Sequence, residues 1–241
     1  MRMSLEPAVR AEPGARNSAP SLADVVYDNV KQDLYAFRML PGDYFTEADI
    51  VARLGVSRTP VRQALYRLER EGFVLVHLRS GWQVRPFDFE RFENLYDVRI
   101  VLEQAAIERL CAWPAPQSPP ELDALKAVWL VPVAERLRDG SAVARLDEAF
   151  HGALVHAAGN PEMAAIHLDV TDKIRIIRQL DFTKDYRIDA TYNEHAAILR
   201  AILARRSDEA RRMMKSHIAM SKAEVRKITL HRLHTARERF V

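Results

Sequence analysis

From residue 21 onward the apolar positions recur mostly with helical spacing, interrupted by one stretch that reads as strand. "SLADVVYDNVKQDLYAF" sets Leu22, Val25, Val26, Val30 and Leu34 along one helical face behind Ser21, a residue suited to capping a helix start. "MLPGDYF" reads as a turn around Pro41-Gly42, and "TEADIVARLG" as a short helix closed by Gly55. In "VSRTPVRQALYRLEREG" the buried stripe is Val61, Ala64, Leu65 and Leu68, while Arg62, Gln63, Tyr66 and Arg70 face away. Pro60 falls in the first turn of this helix, where a missing N–H leaves no bond unmade. "FVLVHLRSGWQVRPF" is β-branched and aromatic with a break at Ser80-Gly81, which predicts a hairpin.

Pro86 begins a linker, and from Phe89 the pattern is almost entirely helical, with breaks at 113–120, Asp139-Gly140, Gly159-Asn160-Pro161, Asp181 to Asp189 and near Ser207. The spacing therefore predicts about six helices in a second unit. The expected fold is mainly α: a flexible tail over 1–20, a winged helix-turn-helix over 21–86 and an all-α bundle over 87–241.

Composition narrows the function. The 241 residues are 48% hydrophobic and 29% charged, as in an ordinary soluble protein. The single cysteine, Cys111, lies in the apolar run "IERLCAWP", which excludes a disulfide framework and points to a reducing, cytoplasmic setting. No apolar run approaches the roughly 20 residues of a membrane span, and the N-terminal segment lacks the apolar core of a secretory signal. Net charge is only +3, and residues 206–241 hold ten Lys and Arg against four Asp and Glu, so bulk charge makes no case for nucleic acid.

The case for DNA rests on layout. Two helices separated by a tight turn form a helix-turn-helix, whose second helix offers its N-terminal residues to base edges in the major groove. Arg58 and Arg62 stand there, and a guanidinium fork pairs with guanine or clamps a phosphate. The Ser57 and Thr59 hydroxyls suit phosphate oxygens, and Arg79 with Gly81 marks the tip of a wing able to approach the minor groove.

The second unit carries candidate chemistry. In "RLDEAFHGALVH", Asp147 and His151 are four apart and share a helix face beside Val143, Leu146, Phe150 and Leu154. His195 falls amid Ile198, Leu199 and Ile202, and His217 amid Ala210, Met213 and Met214. Buried Asp and His need compensation, from a divalent metal or from a hydrogen-bonded polar network, and spacing leaves both open. His156 and His167 have no partner by spacing. A metal-dependent hydrolase would require a base such as Glu148 or Glu194, yet each is turned about 100° from its neighbouring ligand. No nucleophile motif, phosphate loop or dinucleotide fingerprint is present.

"PGDYFTEADIVARLGVSRTPVRQALYRLEREGFV" closely resembles the winged-helix head of the GntR family of bacterial transcription regulators. The resemblance implies that Arg58 and Arg62 contact DNA, with Thr59 and Gly81 in support. Gln63 stands where the family usually has Glu, and Ser80 where an Arg commonly precedes the wing glycine. The D-x-x-x-H pair, "NEHAAIL" and "MKSHI" resemble the FCD effector domain of the FadR branch, in its shorter, VanR-like form. In metal-binding members those positions are ligands, which here are Asp147, His151, His195 and His217, holding a divalent ion such as zinc or nickel. Such domains usually bind small organic acids at the metal; Arg99 aligns with an arginine often near the cavity, and Arg175 and Arg178 are further candidate anchors. The expectation is a homodimeric, ligand-responsive repressor of a palindromic operator in double-stranded DNA, not an enzyme and with no membrane partner; a metal-sensing regulator is the alternative.

Overall fold

A computed structural model describes residues 20–78, 80–114, 118–181, 185–225 and 227. Helix α1 (Leu22–Tyr35) begins in a capping box: the Ser21 hydroxyl accepts from the Asp24 N–H at 3.2 Å, and the Asp24 carboxylate accepts from the Ser21 N–H at 3.1 Å. Its buried face carries Val26, Tyr27, Val30 and Leu34. Leu22 and Val25, expected on that face, are 61% and 39% exposed because they lie outside the cluster that α1 forms with its neighbours.

Strand β1 (Tyr44–Phe45) leads into α2 (Glu47–Leu54), capped by Thr46 and Asp49 in a second capping box. Gly55, at φ 66°, ends α2 in the left-handed region that glycine adopts without strain. Three residues on, α3 (Arg58–Arg70) starts. Strands β2 (Val74–His77) and β3 (Gly81–Val84) form the hairpin, and β1 joins the far edge of β3, so the sheet order is β1-β3-β2, all antiparallel. The sequence reading placed a turn where β1 lies: two residues carry no period, and only the edge of β3 makes them a strand. At Gly81, φ is 92° and a Cβ would stand 2.7 Å from the Phe45 carbonyl oxygen, so only glycine lets the wing close onto β1. Ile50, Val61, Leu65, Leu68, Val74 and Trp82 share this unit's core.

The other described elements are helical: α4 (Phe89–Cys111), α5 (Pro120–Trp129), α6 (Gly140–Ala157), α7 (Pro161–Asp181), α8 (Asp185–Leu203) and α9 (Ser207–Val225), with a 3-10 turn at Val133–Glu135. Helix α4 runs through the bundle and packs against α6, α7, α8 and α9. Tyr96, Trp129, Phe150, Ile174, Leu199 and Ile218 are part of the second core. Phe37 and Leu40, which follow α1, also belong to that second core rather than to the first. Phe37 is fully buried at φ 55°, an uncommon conformation for a bulky side chain, sustained by packing against the bundle.

Candidate DNA face and metal centre

The start of α3 is fully presented. Ser57 occupies the N-cap without making a side-chain cap bond, and Ser57, Arg58, Thr59 and Arg62 are all exposed. The Ser57 hydroxyl and the first N–H groups of α3 thus stand together at one surface, a natural seat for a phosphate oxygen. The Arg62 fork rests on Glu47 of α2, with Nε and Nη2 each 3.0 Å from a carboxylate oxygen. Gly81 opens β3 and acts through the close approach to Phe45. Arg79 lies outside the described residues.

Inside the bundle, α6, α8 and α9 bring Asp147, His151, His195 and His217 together, with one ligand atom from each lying within 4.8 Å of the others. All four are buried. The Nε2 atoms of His151 and His195 stand 3.2 and 3.3 Å from His217 Nε2. Asp147 Oδ1 is 3.2, 3.6 and 3.9 Å from the Nε2 atoms of His195, His151 and His217. Ligand atoms about 2.0–2.1 Å from a tetrahedral zinc stand about 3.3–3.4 Å apart, so these spacings fit an ion at the centre.

A second ring of contacts orients the imidazoles. His151 Nδ1 meets Glu103 Oε2 at 2.5 Å, and His217 Nδ1 meets Glu194 Oε2 at 2.6 Å. A carboxylate only accepts, so each of these Nδ1 atoms donates a proton to its glutamate and each ring turns its Nε2 inward. The His151 and His217 Nε2 atoms thus face each other at 3.2 Å beside a carboxylate oxygen, a donor set that could hold a cation. His195 is held by packing instead, stacked on Phe150 at 3.9 Å with the Trp129 edge at 4.2 Å. Burial drives its imidazole well below the ordinary histidine range, partly countered by Asp147, and so favours the neutral, ligating form. Burial opposes the charge on Asp147, but Arg178 and the histidines hold its carboxyl well below the usual range.

The candidate effector arginines separate. Arg178 is buried and donates through Nη2 to Asp147 Oδ2, while its Nη1 has no hydrogen-bond partner among the described residues. Arg99 is buried with Nε 2.6 Å from Glu103 Oε1, and its Nη2 is likewise without one. Arg175 points elsewhere: it binds Glu148 and Asp172 and lies 4.9 Å from the Tyr35 ring of α1. His167, read as lacking a partner, is buried 3.0 Å from Glu103 Oε1. Glu103 therefore joins Arg99, His151 and His167. Glu194, turned from its sequence neighbour His195, reaches the outer nitrogen of His217 on the adjacent helix. His156 is paired with Glu121 at the surface.

Polar contacts link the two cores. Asp172 of α7 accepts from Lys31 of α1 at 2.6 Å, Lys31 donates to the Tyr27 hydroxyl, and Tyr27 donates to Glu71 at the end of α3. With the Arg175 contacts, an unbroken chain runs from Glu148, next to the candidate ligand Asp147, to the C-terminal end of α3.

An exposed helix start on a winged helix-turn-helix, joined to a helical bundle with an inward-facing polar cluster, defines a DNA-binding regulator with a sensing domain. Residues 22–84 match the bacterial regulatory proteins of the gntR family, and residues 94–220 match the FCD domain. The chain belongs to the GntR family and carries an FCD domain; it is a transcription regulator, not an enzyme. It is 30% identical over 184 residues, 76% of this chain and 84% of the relative, to the Nta operon transcriptional regulator of Aminobacter aminovorans. It is 26% identical to the transcriptional repressor NanR of Salmonella newport, covering 89% of this chain and 88% of NanR. The fold is also that of a GntR protein from Rhodococcus sp. RHA1, with a TM-score of 0.68 at 22% identity over 86% of this chain and 98% of that one. E. coli McbR/YncC gives a TM-score of 0.66 at 17% identity over 87% and 99%.

Proposed function

We propose that the protein is a homodimeric, cytoplasmic repressor, with residues 21–86 as the reader of a palindromic operator and residues 87–241 as its effector- and metal-binding unit. Arg58 and Arg62 read bases or clamp phosphates, with Ser57, Thr59, Arg79 and Gly81 in support. The dimer follows from economy of contacts, since one small head touches too few base pairs for useful specificity and two-fold symmetry matches a palindrome. Asp147, His151, His195 and His217 hold a divalent ion such as zinc or nickel.

The observation carrying the metal reading is the pair of imidazoles whose Nδ1 atoms are committed to Glu103 and Glu194, leaving two Nε2 atoms 3.2 Å apart. A bound ion would polarise and anchor a carboxylate oxygen of a small organic acid. Arg99 and Arg178, each with a buried guanidinium nitrogen that has no hydrogen-bond partner among the described residues, supply charge-assisted donors for the same acid. Arg175 acts in the link to the head. A ligand that shifts α6 and α7 would reach α3 through Arg175, Asp172, Lys31 and Tyr27, and it regulates only as far as it favours one head arrangement over the other.

His195→Ala with His217→Ala is expected to abolish stoichiometric metal in elemental analysis; full retention overturns the ligand assignment. Selection of genomic fragments by the purified protein is expected to enrich one short palindrome, and a half-site without symmetry would count against the dimer. The alternative, in which the ion itself is the signal, draws support from four protein donors that already complete a tetrahedral shell, as in closed structural sites. Operator binding would then respond steeply to chelation and re-addition of metal.

A further inference from the structure

Between the two units lies a small, partly open cleft that the metal cluster does not line. Its walls come from both sides: Tyr35 and Phe73 from the head, Phe87 and Phe92 from the linker and first turn of α4, and Ile176 from α7. Two cations also line it, Arg85 and Arg91. Arg85 Nε donates to the Gly72 carbonyl at 2.7 Å, and Arg91 Nη1 donates to the same carbonyl at 3.3 Å. Among the described residues neither guanidinium has an ion-pair partner within 4.0 Å, and one neutral oxygen serves both. The other charged groups on the cleft are engaged: Asp88 caps α4 by accepting from the Arg91 N–H at 2.9 Å, and Lys173 is paired with Asp169 at 2.5 Å.

Two guanidinium groups converge on one carbonyl beside an apolar wall, with Asp88 and Asp169 near Arg91 but not ion-paired to it within 4.0 Å, and an anion bound between the two arginines would relieve their repulsion. Burial and then the neighbouring Arg85 lower the Arg91 pKa, partly countered by Asp88 and Asp169. We propose that this junction is a second ligand site, taking a small aromatic monocarboxylate whose carboxylate bridges Arg85 and Arg91 and whose ring packs on the aromatic wall. A carboxylate matches the guanidinium fork in shape and charge, and aromatic rings pack on one another edge-to-face or offset. Four aromatic side chains on the wall favour such a ligand over a bare phosphate ion. Because the walls belong to both units, an occupant holds the head in one orientation relative to the bundle. The site is independent of the metal.

The test is calorimetric titration of the intact protein with benzoate, with benzamide as the neutral isostere and inorganic phosphate as the bare anion. Saturable benzoate binding is expected, with much weaker binding of benzamide and phosphate. Arg85→Gln and Arg91→Gln should each weaken benzoate by about ten-fold, the loss of one charge-assisted contact, with metal content and circular dichroism as in the wild type. The His195→Ala, His217→Ala double variant should bind benzoate undiminished even if it holds no metal. Absence of saturable binding, equal binding of benzamide or phosphate, or wild-type affinity in both arginine variants overturns the proposal. Benzoate binding that survives Arg91→Gln but disappears with the histidines places the ligand at the metal cluster and removes it from the junction.

Discussion

Both units of this protein depend on arginine–carboxylate pairs, but in opposite environments. In the head, Arg62 rests on Glu47 with 57% of its side chain exposed. In the bundle, Arg99 and Arg178 sit on Glu103 and Asp147 with 2% and 6% exposed. An exposed pair contributes about 0–1 kcal/mol and exchanges readily, so Arg62 can leave Glu47 for a phosphate or a base at little loss. A buried pair is different, because removing one partner strands a charge in the core. The head is thus a rigid apolar scaffold that presents replaceable polar groups, whereas the bundle fixes its polar groups in place before any ligand arrives.

That contrast can be broken at several points. Glu103→Ala strands Arg99 and unseats His151 and His167, and it should lower stability by about 3–5 kcal/mol in urea unfolding. A loss under about 1 kcal/mol would mean that the bundle tolerates open charges as the head does. Arg58→Ala should weaken operator binding by about 1–3 kcal/mol with the melting temperature unchanged. Unchanged affinity would take Arg58 out of the interface.

Asp172→Asn tests the link between the units. The difference in operator affinity between metal-loaded and chelated protein should shrink by about 0.5–2 kcal/mol while metal content stays constant. An undiminished difference would route the coupling elsewhere. Ser21→Ala removes one exposed cap and should cost about 0.5–2 kcal/mol, nearer the lower end in a helix already packed on α3, read as a small drop in thermal midpoint. A larger loss would show the start of α1 to be more tightly integrated than its exposure implies.

Much of this was legible in the chain because it is local. The cap at Ser21, the glycine stop at Gly55, and the apolar stripe of Val61, Ala64, Leu65 and Leu68 each follow from residues within one or two turns. The Asp147–His151 pair was legible for the same reason, since four positions on a helix share a face. Three things were not. Strand β1 depends on β3 for its hydrogen bonds. Phe37 follows a head helix yet is buried in the bundle's core. The outer ring of the cluster joins Glu103 to His151 and His167, which are 48 and 64 residues away.

The sequence by itself therefore determined the helices, the hairpin, the Ser21 cap and the Gly55 stop, because periodicity and capping act over a few residues. Tertiary structure alone decided which carboxylate orients which imidazole, which arginine faces the cluster and which faces the junction. Those choices are made between helices distant in the chain, where spacing carries no period and packing sets the partner.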